Sequence, residues 1–185
     1  MKHDQQAFIR EVIGRLEKGL TGFPPPLVDS MIVEFGHDPF IILISCLLSL
    51  RARDVVTIHV CRELFALVRT PAELLALPLP ELERIIYRTG YYKTKALVLR
   101  SVSHTLLTEY HGTVPATREE LLAMSGVGLK TANLVLGLAY NKPAICVDTH
   151  VHRISNIFGL IKTHTAEESE QALQKVLPQE TWIEW

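Results

Sequence analysis

The chain has 185 residues, 48% of them hydrophobic, which is enough to bury a core and too many for a disordered tail. Nineteen Lys and Arg oppose 20 Asp and Glu for a formal net charge of −1, so bulk charge alone does not mark a nucleic-acid binder. The three cysteines, Cys46, Cys61 and Cys146, form no C-x-x-C pair, which argues against a local thiolate metal site or a disulfide framework and for reduced, buried thiols.

Phe8, Val12, Leu16 and Leu20 recur every four residues, with Ile9 and Ile13 on the same face, and predict an amphipathic first helix. Asp4 and scattered polar residues stand where a signal peptide would need its apolar stretch, so a soluble cytoplasmic protein is expected. Pro24, Pro25 and Pro26 stop that helix and stiffen the crossing that follows. Helices are then predicted over 27–36 and 40–50. The second, FIILISCLLSL, is nearly all apolar and therefore central; its eleven residues fall short of the roughly 20 that span a bilayer. Residues 54–68 form another helix with Asp54 as its N-cap, and Pro71, Pro78 and Pro80 mark the starts of two short ones. Gly90 precedes a long helix over about 93–110. Thr117 and Glu120 make a capping-box pattern before the next helix, and Gly126 and Gly128 separate it from one over about 129–140. Asp148 caps a helix over 149–158 that Gly159 closes, and a last helix covers about 166–176. Only residues 144–147 hint at a strand, and they are too few to matter. The fold class is all-α, with ten or eleven short helices and no internal repeat.

The densest chemistry lies in Leu121-Leu122-Ala123-Met124-Ser125-Gly126-Val127-Gly128-Leu129-Lys130-Thr131-Ala132, a helix, a G-V-G turn and a second helix. Two glycines allow positive φ and close approach of a ligand to the backbone. Turn N–H groups at a helix start can hold a phosphate with no cationic side chain, which suits a chain of near-zero net charge. Lys130 falls in the first turn of that second helix, where the macrodipole and partial burial in a cleft would favour the neutral, nucleophilic amine. Eighteen residues on, Val147-Asp148-Thr149-His150-Val151-His152-Arg153 sets a carboxylate at a helix start. Asp in that place is most often an N-cap, and capping also keeps it ionised. His150 and His152 lack an evident third ligand, so a metal site is rejected, and His152 and Arg153 are expected to face phosphate or solvent.

These strings resemble the endonuclease III family of helix-hairpin-helix DNA glycosylases. The hairpin is similar to the family's L-P-G-V-G-x-K-T-A, with Ser125 in place of the proline, and V-D-T-H-V matches the string around the family's catalytic aspartate. Leu47-Leu48-Ser49-Leu50-Arg51-Ala52-Arg53-Asp54 and Thr89-Gly90-Tyr91-Tyr92-Lys93-Thr94-Lys95-Ala96 resemble L-L-S-x-Q-[AT]-x-D and G-[LFY]-[YR]-x-x-K-A, so the likeness covers nearly the whole chain. The resemblance implies two helical lobes, a six-helix lobe over 32–142 with its hairpin at about 117–141, and a second of 1–31 plus 143–185. Duplex DNA carrying a damaged base or an abasic site would lie in the cleft with one nucleotide flipped out.

It further implies that Lys130 attacks as a Schiff-base amine while Asp148 stabilises positive charge on the sugar and assists proton transfer. Gly126, Val127, Gly128, Thr131, Arg51, Tyr91, His150 and Arg153 would meet DNA. Arg51 replaces the glutamine that fills the hole left by the flipped nucleotide, and can fork hydrogen bonds to the orphaned base. Tyr91 takes the other wedge position, where a ring can stack between bases. The expected substrates are oxidised or ring-saturated pyrimidines, and the expected setting is a monomer at the bacterial nucleoid. The family also ends in a four-cysteine loop holding a [4Fe–4S] cluster. These 185 residues contain no such loop, so no cofactor is expected within them. The apolar Trp182, Ile183 and Trp185 look like a helix start in need of cover, from which the expectation is a natural chain that continues into that loop. Two competing readings are a monofunctional mismatch glycosylase, which would keep the aspartate and lack Lys130, and a non-catalytic hairpin module that only grips phosphate.

Overall fold

In the computed structural model, residues 2–183 are described, with side chains from residue 7 onward. The expected Trp185 therefore lies outside the described residues. The class is all-α as expected: eleven α-helices, two short 3-10 turns and no strand among the described residues. The chain divides into two compact units, one of residues 25–142 and one of residues 1–24 with 143–185.

The larger unit is organised by its most apolar helix. Helix α2 covers Leu27–Phe35, α3 Pro39–Ser49 and α4 Asp54–Phe65. Every residue from Phe40 to Leu48 is buried, as an unbroken apolar run requires. The Asp38 carboxylate accepts from the N–H groups of Phe40 and Ile41 and caps α3 in front of Pro39. Helix α2 belongs to this unit because Leu27, Val28 and Met31 are buried and it packs on α3 and α4. The unit boundary therefore falls at Pro24–Pro25 rather than after residue 31.

Asp54 does not cap its own helix. It is the first residue of α4, and its carboxylate instead accepts from Leu27 N at 3.4 Å, joining the start of α2 to the start of α4. Helices α5 (Pro71–Ala76) and α6 (Leu79–Ile86) follow, with proline near each start as predicted. The reciprocal capping box is at Thr70 and Glu73, before α5. Helix α7 (Tyr92–Glu109) follows a 3-10 turn over Tyr87–Thr89. Helices α8 (Arg118–Ala123) and α9 (Leu129–Tyr140) complete the unit, with Thr117 capping α8 through the N–H of Glu120. Both α7 and α9 pack on α3.

The smaller unit holds α1 (Lys2–Gly19), α10 (Thr149–Ile157) and α11 (Ala166–Val176). Of the predicted apolar face of α1, Ile9 is buried and Val12 and Ile13 are half-buried, whereas Phe8, Leu16 and Leu20 remain largely exposed. Leu20 lies past the helix end. Ile145, Val147, Ile161 and Leu173 form a small core against which Leu177 and Trp182 pack. Trp182 is thus half-buried, and its Nε1–H donates to Leu177 O at 3.2 Å, so it is covered within the chain.

Candidate active site and nucleic-acid interface

The hairpin is built by backbone. Gly126 has φ +78°, the left-handed region, and a Cβ there would stand 2.6 Å from Val98 Cγ1 of α7. Glycine at 126 therefore serves both the turn and its seating on α7. Gly128 differs from expectation: φ −99° and ψ 178° are extended backbone, and a Cβ would meet nothing within 4 Å. As the N-cap of α9 it brings no side-chain hydrogen bond, the condition in which main-chain donors and the helix dipole are suited to an anion. Val127 and Thr131 are buried at 7% and 2% exposure, so what they can offer a ligand is main chain. Lys130, the second residue of α9, is exposed rather than partly buried.

A second feature of the larger unit is a cavity of about 330 Å³ that brings Arg51, Tyr91 and Gly126 together with Lys95 and Val98. Four non-glycine residues have positive φ among those described, and two of them, Arg51 (54°) and Tyr91 (50°), line this one cavity. Each such residue costs of order ~1–3 kcal/mol, strain that collects at functional sites. Both side chains are exposed, and the Arg51 guanidinium carbon stands 5.9 Å from the centre of the Tyr91 ring. A cation and an aromatic face offered at a cavity rim are suited to stacking on bases.

Lys95, which the sequence shows only as one residue of the Thr89–Ala96 string, also lines this cavity. It is 9% exposed, and its Nζ donates to Leu48 O at 2.7 Å and Thr89 O at 2.8 Å. Burial pulls its pKa down from 10.5 to about 8, opposed by the nearby Cys61 sulfur. A signal existed: position 95 shares the register of Ala96, Leu99, Val102 and Leu106, the buried stripe of α7.

In the smaller unit Asp148 is the N-cap of α10, its carboxylate accepting from His150 N and Val151 N at 2.9 Å each. The capping expectation is borne out. His150 and Arg153 are exposed on that helix. His152 is not turned to phosphate or solvent. Its Nδ1 pairs with Ser169 Oγ at 2.6 Å, and Asn156 donates to His152 O and to Thr163 Oγ1, tying α10 to α11. Among the described residues no group of three or more His, Cys, Asp or Glu is placed to hold a metal. Cys46 and Cys61 are buried on α3 and α4, and Cys146 stands in the other unit. The three cysteines present do not fit a four-thiolate cluster.

Residues 44–179 match the family described as HhH-GPD superfamily base excision DNA repair protein, and with a hairpin, an all-α fold and a capped aspartate the chain is a member of that class. Within it the chain belongs to the endonuclease III family. It is 48% identical to endonuclease III of Thermotoga maritima over 145 residues, 78% of this chain and 68% of the relative. It is 37% identical to endonuclease III of Bacillus subtilis over 80% of this chain and 69% of that one. A solved structure described as a non-covalent endonuclease III–DNA complex superposes with a TM-score of 0.84 at 35% identity, covering 96% of this chain and 80% of the other. A trapped endonuclease III–DNA covalent intermediate gives 0.82 at 34% identity, covering 96% and 81%. The chain is thus a base-excision repair enzyme of a DNA glycosylase and lyase family.

Proposed function

We propose that Lys130 and Asp148 carry the chemistry, and that the substrate is duplex DNA bearing an oxidised or ring-saturated pyrimidine or the abasic site left after its removal. The observation that carries this reading is the exposed Lys130 in the first turn of α9, directly after the G-V-G turn. Its unprotonated amine attacks C1′ of the damaged nucleotide, and the bond from C1′ to the base breaks with its electron pair leaving on the base. Asp148 stabilises the positive charge that develops on the sugar. The amine loses a proton as the sugar ring opens to an imine, and Asp148 assists that transfer. Removal of a C2′ proton then expels the 3′ phosphate by β-elimination, and water hydrolyses the imine to free Lys130. Main chain at Gly126, Val127 and Gly128 holds a phosphate, Arg51 and Tyr91 enter the duplex, and His150 and Arg153 approach the backbone. The same reading makes one unit the hairpin-bearing lobe and the other the aspartate-bearing lobe, and sets a monomer at cytoplasmic DNA. No helix among the described residues is long and apolar enough to cross a membrane. A [4Fe–4S] cluster belongs to this reading only with cysteine ligands contributed from outside these 185 residues.

Borohydride reduction of the imine tests the pair. Wild type should form a covalent adduct with lesion DNA, and Lys130→Ala should lose both the adduct and strand cleavage while its affinity for lesion DNA stays within about threefold. Asp148→Asn, which keeps an oxygen acceptor for the α10 cap, should slow base removal more than cleavage of a pre-formed abasic site. Full lyase activity in Lys130→Ala would remove the assignment, and a wild type that never traps would reduce the hairpin to a phosphate grip.

A further inference from the structure

Two chain segments reach the 330 Å³ cavity from different parts of the larger unit, and each presents its side chain from a single left-handed residue. Arg51 follows the end of α3, three residues after Leu48, and Tyr91 follows the 3-10 turn, two residues after Thr89. Left-handed backbone at a non-glycine residue persists only where neighbouring structure over-determines it. One side chain hydrogen-bonds the main chain of both segments. Lys95 Nζ donates to the carbonyl of Leu48 at 2.7 Å and to that of Thr89 at 2.8 Å.

The chemistry of that contact is specific. Leu48 lies in the last turn of α3, where carbonyls have no onward helical partner and carry the negative end of the helix dipole. A cation set there satisfies an orphan acceptor and is itself stabilised. A buried ammonium without acceptors would be costly, so at 9% exposure Lys95 depends on the two carbonyls as much as they depend on it. The lysine stem belongs to the buried stripe of α7, so the amine is delivered by a rigid helix and not by a loop. Because it bonds main chain on both sides, it constrains backbone whatever side chains follow.

We infer that Lys95 is a positioning residue: its two hydrogen bonds clamp the Arg51 and Tyr91 segments together and set the spacing at which guanidinium and ring are offered to the duplex. This role rests on the proposed reading that Arg51 and Tyr91 enter DNA, and it adds a residue that touches no nucleotide. A residue needed only for folding would lower every activity in proportion to the fraction folded. A clamp on the two wedge segments acts on the steps that need them, which are extrusion of the damaged nucleotide and filling of the gap.

The test uses the full chain and a lesion duplex with 2-aminopurine beside the lesion, whose fluorescence rises as its stacking is lost. Borohydride trapping on an abasic duplex counts active molecules, and all rates are expressed per active molecule. Arg51→Ala and Tyr91→Ala should each dim the fluorescence change. Lys95→Met, which keeps the stem and removes the donors, should dim it too and slow single-turnover base removal about tenfold, with a smaller loss in abasic-site cleavage. Lys95→Arg, which keeps charge and donors, should recover part of both. In a Tyr91→Ala background Lys95→Met should add less than about twofold, because the two act on one step. Should Lys95→Met fold too poorly to assay, Lys95→Leu, which also removes the donors and keeps an apolar stem, gives the same comparison. If Arg51→Ala and Tyr91→Ala dim the signal while the Lys95 variants leave it at the wild-type level, or if Lys95→Met lowers base removal and abasic cleavage equally, the clamp is overturned. If neither Arg51→Ala nor Tyr91→Ala has any effect, the wedge reading itself falls and takes the clamp with it.

Discussion

Gly126 and Gly128 are two residues apart in the hairpin, and their geometry predicts opposite consequences for the same substitution. At Gly126, alanine must hold φ +78°, which costs about 1–2 kcal/mol for an L residue. Its Cβ would also stand 2.6 Å from Val98 Cγ1 and 3.4 Å from Cγ2. A β-branched valine on a helix is stiff at χ1, so it cannot swing clear, and overpacking of this kind costs about 1–3 kcal/mol. Gly126→Ala should therefore destabilise by roughly 2–5 kcal/mol, read as a lower urea midpoint at unchanged slope. Adding Val98→Ala should recover the overpacking part and leave the backbone part.

At Gly128 alanine meets nothing within 4 Å on extended backbone. Loss of unfolded-state freedom favours the variant by up to about 1 kcal/mol, while the N-cap preference for glycine over alanine opposes it. Gly128→Ala should thus be near neutral in stability. If phosphate approaches the main chain there, its methyl group stands in the way, and affinity for an abasic-analogue duplex should fall about tenfold, some 1.4 kcal/mol. Fluorescence polarisation at one fixed salt concentration reads this, since phosphate contacts are salt-dependent. A Gly126→Ala protein as stable as wild type, or a stable Gly128→Ala protein with undiminished affinity, would refute the division of roles.

Arg51→Ala should weaken lesion-duplex binding about tenfold and change the ranking of the four bases opposite the lesion; unchanged affinity and ranking would confine Arg51 to solvent or phosphate. Alkaline stability isolates Lys95, whose pKa falls from 10.5 to about 8 through burial. Between those values the unfolded chain holds a proton that the folded one has lost, so this contribution to stability rises with pH and is absent below about 8. Cys61, pushed by burial from 9.0 to about 12, acts in the opposite direction between those values, because there the unfolded thiol has lost a proton that the folded one keeps. The stability of wild type minus that of Lys95→Met, from urea unfolding, should therefore grow from pH 8 to 10, and a flat difference would show that the lysine is not desolvated.

Much of the fold is written in local pattern. The run FIILISCLLSL reads as a central helix, and α3 is buried from Phe40 to Leu48, because a helix apolar on every side has nowhere else to go. Proline and glycine marked most boundaries for reasons of φ and missing N–H groups that act within a residue or two. The first helix was legible in existence and not in its buried face. Six apolar residues at 3.6 spacing do not say which of them the rest of the unit will cover, and Phe8 and Leu16 are left largely exposed. Among site residues, Arg51, Tyr91 and Gly126 came from separate strings, and their meeting at one cavity could not be read from any string alone.

The dividing line is the chain distance over which each interaction closes. Asp148 bonds N–H groups two and three residues ahead and Thr117 one three residues ahead, and both caps were legible. Asp54 carries the same signal but does not cap, because Leu27 N, 27 residues back, donates to its carboxylate and α4 is left without a side-chain cap. His152 pairs with Ser169, 17 residues on, and Lys95 with Leu48, 47 residues back. A histidine next to a helix start and a lysine in a polar string both read as solvated groups until the partner is folded against them. Long-range partners also pin one element to another, so the residues that local reasoning gets wrong are those that set the relative placement of elements. Lys95 is the case in point: in the sequence it is one letter of a polar string, and in the fold it bonds the carbonyls of Leu48 and Thr89, three residues before Arg51 and two before Tyr91.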